Sequence, residues 1–162
     1  ERCRIAAGGE ACVYGIDAGE IVVDGRSHRF SGPGESQAAG VATVYQEVNL
    51  CENLTVAENI MLGNEPRRLG AIDWRATRRE AARHLATMGL DIDPASSLGS
   101  HSIAVQQLVA ISRAMVVEAK VLILDEPTSS LDAGEVAQLF AVVRRLRDEG
   151  VAILFVSHFI EQ

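Results

Sequence analysis

With 162 residues, 48% of them hydrophobic and 23% charged, the chain fits one domain of ordinary size with a real core. Its 15 basic residues against 22 acidic ones give a net charge of −7, which argues against a nucleic-acid surface, because phosphate binding needs a local positive excess. No apolar stretch approaches the ~20 residues that span a bilayer, so any work at a membrane would run through a partner.

Cys3, Cys12 and Cys51 are odd in number and lack metal-ligand spacing, so they read as free thiols of a reducing compartment. The chain opens on Glu1 rather than methionine and is expected to be a piece of a longer one. Its first fifteen residues, ERCRIAAGGEACVYG, show no helical or strand period. In EIVVDGRSHRF, Asp24-Gly25 between two short strand-like runs predicts a hairpin. SGPGESQAAG reads as loop with one helical turn, and VATVYQ (41–46) as a buried strand ending on a polar residue.

From Leu54 to Ala119 the pattern turns helical. Thr55 is placed to cap VAENIML, and Asp73 to cap WRATRREAARHLATMGL. In that second helix Trp74, Thr77, Ala81, Leu85 and Met88 trace one face and the arginines the other. DPASSLG reads as a linker, after which Ser102 is placed to cap the largely buried helix IAVQQLVAISRAMVV. The last part alternates between strand at 121–125, helix from about Gly134 to Asp148, and strand at 151–157. Val136, Leu139, Phe140, Val143 and Leu146 supply the 3.6-residue stripe of that helix. Buried, continuously apolar strands joined by a helix predict a parallel sheet.

In such sheets functional side chains gather beyond the carboxyl ends of the strands. Three strands end in usable groups: Gln46, then Asp125 with Glu126, then Ser157 with His158. Carboxylates at the end of the run VLIL are costly to bury unless a cation or a proton transfer uses them. Asp125 suits Mg²⁺ or its water shell, since Mg²⁺ takes few carboxylates and keeps its waters. Glu126 is placed to polarise a water for attack on a γ-phosphate, a role typically worth ~10²–10⁴ in rate. His158 is placed to donate to a γ-phosphate oxygen, and Gln46 to orient water or a Mg²⁺ ligand. His28, His84 and His101 have no companions in the sequence and read as structural or solvated.

TVYQEVNLCENLTVAENIMLGNEPRR, HSIAVQQLVAISRAM, VLILDEPTSSLD and ILFVSH stand in the order of the Q-loop, signature motif, Walker B/D-loop and H-loop of ABC-transporter ATPases. Over residues 13–162 the chain most resembles the first of two fused cassettes in monosaccharide-importer ATPases of the ribose/galactofuranose class. The resemblance implies an α/β, P-loop NTPase-like nucleotide-binding domain: a parallel sheet core, a small antiparallel part and an inserted helical subdomain. Residues 1–46 and 119–162 would form the nucleotide-binding core, and 47–118 the helical signalling subdomain. It also implies ATP and Mg²⁺ as cofactors, with Asp125 on the metal side of Walker B and Glu126 as base. Gln46 would sense Mg²⁺ and γ-phosphate, and His158 would be the switch histidine. Asp132 would lie at the dimer seam, and Ser102, with Ala104 beside it, would reach the γ-phosphate of the opposite cassette. Implied partners are transmembrane permease subunits, a second cassette and, indirectly, a sugar-binding protein, at the cytoplasmic face of the plasma membrane.

Two departures stand out. The usual signature Leu-Ser-Gly-Gly-Gln is replaced by His101, Ser102, Ile103, Ala104 and Val105, without the glycines that allow close backbone approach. The phosphate loop GxxxxGK[ST], expected just before VYGIDAGEI, is replaced by ERCRIAAGGEAC, where an ungapped alignment sets Cys3 at the lysine and Arg4 and Ile5 at the hydroxyl positions. Two other readings therefore stand beside the importer ATPase. One is a non-catalytic cassette that only lends Ser102 to a partner's site. The other is a soluble DNA-repair ATPase, which the acidic charge and the absence of a heptad arm disfavour.

Overall fold

The computed structural model describes residues 20–45 and 50–157. A hairpin opens it: β1 (Ile21–Val23) pairs antiparallel with β2 (Arg26–His28). Asp24 and Gly25 both have positive φ, 51° and 72°, as the tight turn anticipated from Asp-Gly requires. A short helix α1 (Pro33–Ala38) leads to β3 (Val41–Val44).

The chain then leaves the sheet through α2 (Val56–Met61), a small hairpin of β4 (Arg67–Arg68) and β5 (Ala71–Ile72), α3 (Trp74–Thr87), a 3₁₀ turn at Leu98–Ser100 and α4 (Ile103–Val116). It returns as β6 (Val121–Asp125), α5 (Ala133–Asp148) and β7 (Ala152–Val156). The order β3-β6-β7 is parallel throughout, with Val44 level with Leu124 and Asp125 level with Val156. β6 is thus the middle strand.

Alternation decides what each face does. Leu122 and Leu124 are wholly buried, and Ala42, Val44, Ile153 and Phe155 share their face in register. Against that face pack α4 and α5, with Phe140 stacked on Phe155 at 5.5 Å between ring centres. Leu139, Val142, Val143 and Leu146 are the buried stripe of α5, close to the spacing read from the sequence. One continuous core runs from this face through Leu108, Val109 and Ile111 of α4 to Val56 and Ile60 of α2 and Leu85 of α3. The Lys120–Asp24 ion pair ties the first hairpin to the start of β6.

Several expectations need correction. The stretch from Leu54 to Ala119 is not uniformly helical: Leu69 (φ 52°) and Gly70 (φ 85°) turn the β4–β5 hairpin, with Leu69 fully exposed at its tip. Trp74 does not join the buried face of α3. It is the first helical residue, 48% exposed, and Ala76 takes its place beside Thr77, Ala81 and Leu85. DPASSLG is no free linker, because Leu98 is wholly buried and its amide donates to the Leu54 carbonyl at 3.0 Å. Ser102 holds the N-cap position of α4 without a side-chain cap, and only its carbonyl accepts, from the Gln106 amide at 3.0 Å.

The caps at Thr55 and Asp73 form as expected. At α2 the box is reciprocal: the Thr55 amide and hydroxyl donate to Glu58 at 2.7 and 2.6 Å, and the Glu58 amide donates to the Thr55 hydroxyl at 3.2 Å. The Thr55 hydroxyl, then its amide, hold the Glu58 carboxyl below the ordinary value of 4.5. A folded-state pKa below the unfolded one gives stability that is complete above pH 4.5 and lost as pH falls through the lowered value. Thr55→Val should therefore destabilise the fold more at pH 7 than at about pH 3, as urea midpoints would show. An equal loss at both pH values would contradict this coupling.

Candidate functional site

β6 delivers Asp125 as its last residue and Glu126 immediately beyond it. Because Leu122 and Leu124 face the helices, period-two alternation sends Asp125 to the opposite face, with Val121 and Ile123. Asp125 is half-buried. Glu126 breaks the alternation. Its φ is 49°, a left-handed conformation that costs a side-chain-bearing residue roughly 1–2 kcal/mol. The turn is pinned on both sides: the Glu126 amide donates to the Val156 carbonyl at 2.8 Å, and the Glu126 carbonyl accepts from the Ser129 amide at 3.3 Å. Glu126 is half-buried, its Oε1 atom withdrawn from solvent. Strained conformations of this kind concentrate where a side chain must be aimed.

The flanking strands reach the same level. β3 stops at Val44, opposite Leu124, with Tyr45 exposed beyond it, and β7 stops at Val156, opposite Asp125, followed by Ser157. Gln46 and His158, next along these two strands, lie outside the described residues, as does the whole of 1–19. Among the described residues no three His, Cys, Asp or Glu side chains converge as a metal cage. Mg²⁺ held with a nucleotide needs no such cage, since one or two carboxylates with phosphate oxygens and water suffice. A half-buried carboxylate at a strand's carboxyl end, followed by a second, fits that demand.

Asp132 opens α5. Its Oδ1 accepts from the Glu135 amide at 2.8 Å, and Glu135 Oε2 accepts from the Asp132 amide at 3.2 Å, a complete capping box. Its carboxylate is exposed. Ser102 is exposed at the start of α4, whereas Ala104 is buried at 3% exposure, so its methyl faces the core and not the surface that carries Ser102. His101 is not companionless: its Nε2 lies 2.6 Å from the Ser96 hydroxyl, which itself donates to the Asp93 carbonyl.

The sequence profile of the ABC transporter family matches residues 10–129. The chain belongs to the ABC transporter family. It is 64% identical over 151 residues to the fructose import ATP-binding protein FruK of Bifidobacterium longum, a match covering 93% of this chain and 29% of that protein. It is 47% identical over 153 residues to the ribose import ATP-binding protein RbsA 1 of Streptomyces coelicolor, covering 94% of this chain and 30% of that protein. It is 45% identical over 150 residues to the galactofuranose transporter ATP-binding protein YtfR of Escherichia coli, covering 93% and 30%. The chain thus spans under a third of the length of these relatives.

A nucleotide-free ATP-binding cassette from an ABC transporter superposes with TM-score 0.74 over 90% of this chain and 61% of the other, at 20% identity. A dimeric, post-hydrolysis ATP-binding cassette bound to ADP and Pi gives 0.67 over 89% and 64%, at 25% identity. The fold of this ABC chain is therefore a partial P-loop NTPase-like cassette: a parallel sheet, small antiparallel pieces and helices.

What the sequence reading passed over is Asn59, wholly buried inside the apolar helix α2. The available signal was a polar residue between Ala57 and Ile60, where the helical stripe asks for a core side chain. For Asp132 the capping role can be separated from any role at a seam. Asp132→Ala should cost about 0.5–2 kcal/mol of stability, and Asp132→Asn, which keeps a cap acceptor, only a fraction of that, by urea denaturation. Equal losses would show that the cap is not what Asp132 supplies to the fold.

Proposed function

We propose that this chain is the nucleotide-handling part of an ATPase that energises import of a simple sugar, with hydrolysis at the carboxyl end of β6. The observation that carries the proposal is the pair Asp125–Glu126: one carboxylate ends the central strand, and the next is turned out of it at positive φ. The import ATP-binding relatives for fructose, ribose and galactofuranose support the transport setting.

In this reading Asp125 would hold Mg²⁺ or its water shell, and the ion would supply charge neutralisation at the nucleotide phosphates. Glu126 accepts the proton of the attacking water on a carboxylate oxygen. Gln46 and His158 bear on the γ-phosphate from the flanking strands. Asp132, exposed at the head of α5, stands at the seam with a second cassette. Ser102 and the first-turn amides of α4, at Ala104 among others, meet that cassette's nucleotide, because helix-start amides lack intrahelical partners. Residues 47–118 act as the signalling subdomain toward permease subunits at the cytoplasmic face of the plasma membrane, with a sugar-binding protein acting through them. No helix of the described residues is long and apolar enough to cross a membrane.

In a second reading the chain offers only Ser102, exposed and uncommitted to a cap. A cassette of that kind would serve only by lending Ser102 to a partner's site.

Two measurements bear on these readings. Calorimetry on the 162-residue chain should find MgATP binding weaker than micromolar, since the loop's amide cradle and lysine supply much of the phosphate affinity. Micromolar binding would remove the case for weak binding without the loop. In a cassette with that loop supplied upstream, Glu126→Gln should nearly abolish turnover and leave ATP binding in place. Turnover within a few-fold of the parent would exclude Glu126 as the base.

A further inference from the structure

The net charge of −7 conceals one basic surface. Residues 67–83 carry six of the 15 basic side chains, Arg67, Arg68, Arg75, Arg78, Arg79 and Arg83, against two acids, Asp73 and Glu80. All six arginines are exposed. The local positive excess that the composition of the whole chain denies is therefore present here.

Helical geometry sorts the arginines of α3. Ala76, Thr77, Ala81 and Leu85 form its buried face, and Arg75, Arg79 and Arg83 recur four residues apart on the opposite one. At 1.5 Å per residue that row is about 12 Å long. Arg78 stands off it, its Nε donating to the Trp74 carbonyl at 3.3 Å. Nearby acids leave most of the row uncompensated. Asp73 Oδ1 is taken by the amides of Arg75 and Ala76 at 3.1 and 3.0 Å, and Glu80 pairs with Arg83 at 2.7 Å. Among the described residues Arg67, Arg68, Arg75 and Arg79 make no ion pair.

Two large apolar side chains accompany the charge. The β4–β5 hairpin is tied to the start of α3, because the Asp73 amide donates to the Pro66 carbonyl at 2.8 Å. At its tip Leu69 is fully exposed, in a left-handed conformation with φ 52°. Such a position favours glycine or asparagine, so the turn itself does not ask for a leucine. Trp74, at the same end of α3, is 48% exposed and is the only tryptophan of the chain.

Outward guanidinium groups call for phosphate or carboxylate, and Leu69 and Trp74 call for an apolar layer. A nucleic-acid backbone meets only the first demand. The surface of an anionic bilayer meets both, with phosphates at headgroup level and the acyl boundary just beneath. Arginine stems can lie along that boundary with their charge outward, and indole rings favour the headgroup level. We propose that the β4–β5 hairpin and the Arg75–Arg79–Arg83 face of α3 dock on an anionic phospholipid membrane, with Leu69 at the acyl boundary. The docking needs no nucleotide and stands whether or not the carboxyl end of β6 hydrolyses ATP.

Flotation of the 162-residue chain with vesicles tests the surface, and Trp74 emission reports the contact. Vesicles of equal parts phosphatidylglycerol and phosphatidylcholine should carry the chain and shift Trp74 emission to the blue. Pure phosphatidylcholine should do neither, and raising salt from about 0.1 to about 1 M should release the chain. Each arginine removed should weaken binding about fivefold, so Arg75→Gln with Arg79→Gln should weaken it roughly 25-fold. Arg144→Gln with Arg147→Gln, an equal charge change on exposed residues of α5, should leave binding unchanged. Leu69→Ser alters only a fully exposed side chain, and should weaken binding several-fold even if the arginine variant folds poorly. No binding to the mixed vesicles, equal binding to neutral ones, or equal loss from the α5 pair would overturn the proposal. So would binding that leaves Trp74 emission unchanged. Retention on poly-glutamate or duplex DNA without vesicle binding would reassign the patch to an acidic protein or a nucleic acid.

Discussion

The middle position of β6 constrains everything around it. A strand bonded on both sides has no edge to give, and Leu122 and Leu124, each wholly buried, fix its rotation. Burying two leucines contributes about 1.5–3 kcal/mol each relative to exposure, so a one-residue slip that reversed the faces would lose both contributions at once. With rotation fixed, Asp125 must leave the strand on the face away from α4 and α5. The carboxylate is placed by the leucines before it.

Glu126 shows how the next residue escapes that alternation. A strand continuing past Asp125 would send residue 126 back toward the helices, into the core. The positive φ redirects the chain instead, and the bond from its amide to Val156 keeps the strain from relaxing. Pro127, buried immediately after, adds a ring with no amide to satisfy. The turn then runs to Asp132, whose cap starts α5 and returns the chain to β7, the strand on which the Glu126 amide depends. Strand, strained turn, cap and helix thus form a closed circuit around one pair of carboxylates.

Much of this circuit was legible in the residues. VLILD could be assigned to a buried strand, and the α5 stripe and the caps at Thr55 and Asp73 follow from spacing and from side-chain oxygens placed ahead of apolar runs. The antiparallel hairpin at Asp24-Gly25 follows from the two positive φ values that pair favours. The illegible parts rest on tertiary contacts. Leu98 in DPASSLG is a single apolar residue among turn formers, and only the wholly buried pocket it fills reveals it as an anchor. Asn59 stands where the α2 stripe asks for a core side chain, but its partners, eight residues back at Cys51, are visible only in the fold. Trp74 fits the periodic stripe but sits at the first helical position, beyond the reach of the packed turns. Ser102 has the right type for a cap, yet its hydroxyl is not used for one, which no pattern in the chain discloses.

The central claim is that the carboxyl end of β6 is where metal-bound nucleotide sits. Paramagnetic broadening by Mn²⁺ with ADP, followed in the amide spectrum of this chain, reads that location directly and works for weak binding. Asp125, Glu126 and Ser157 should broaden first, while Val121 at the other end of the strand and the amides of α3 stay sharp. Broadening centred on another acidic stretch, such as Asp91 and Asp93, with Asp125 and Glu126 unaffected, would contradict it.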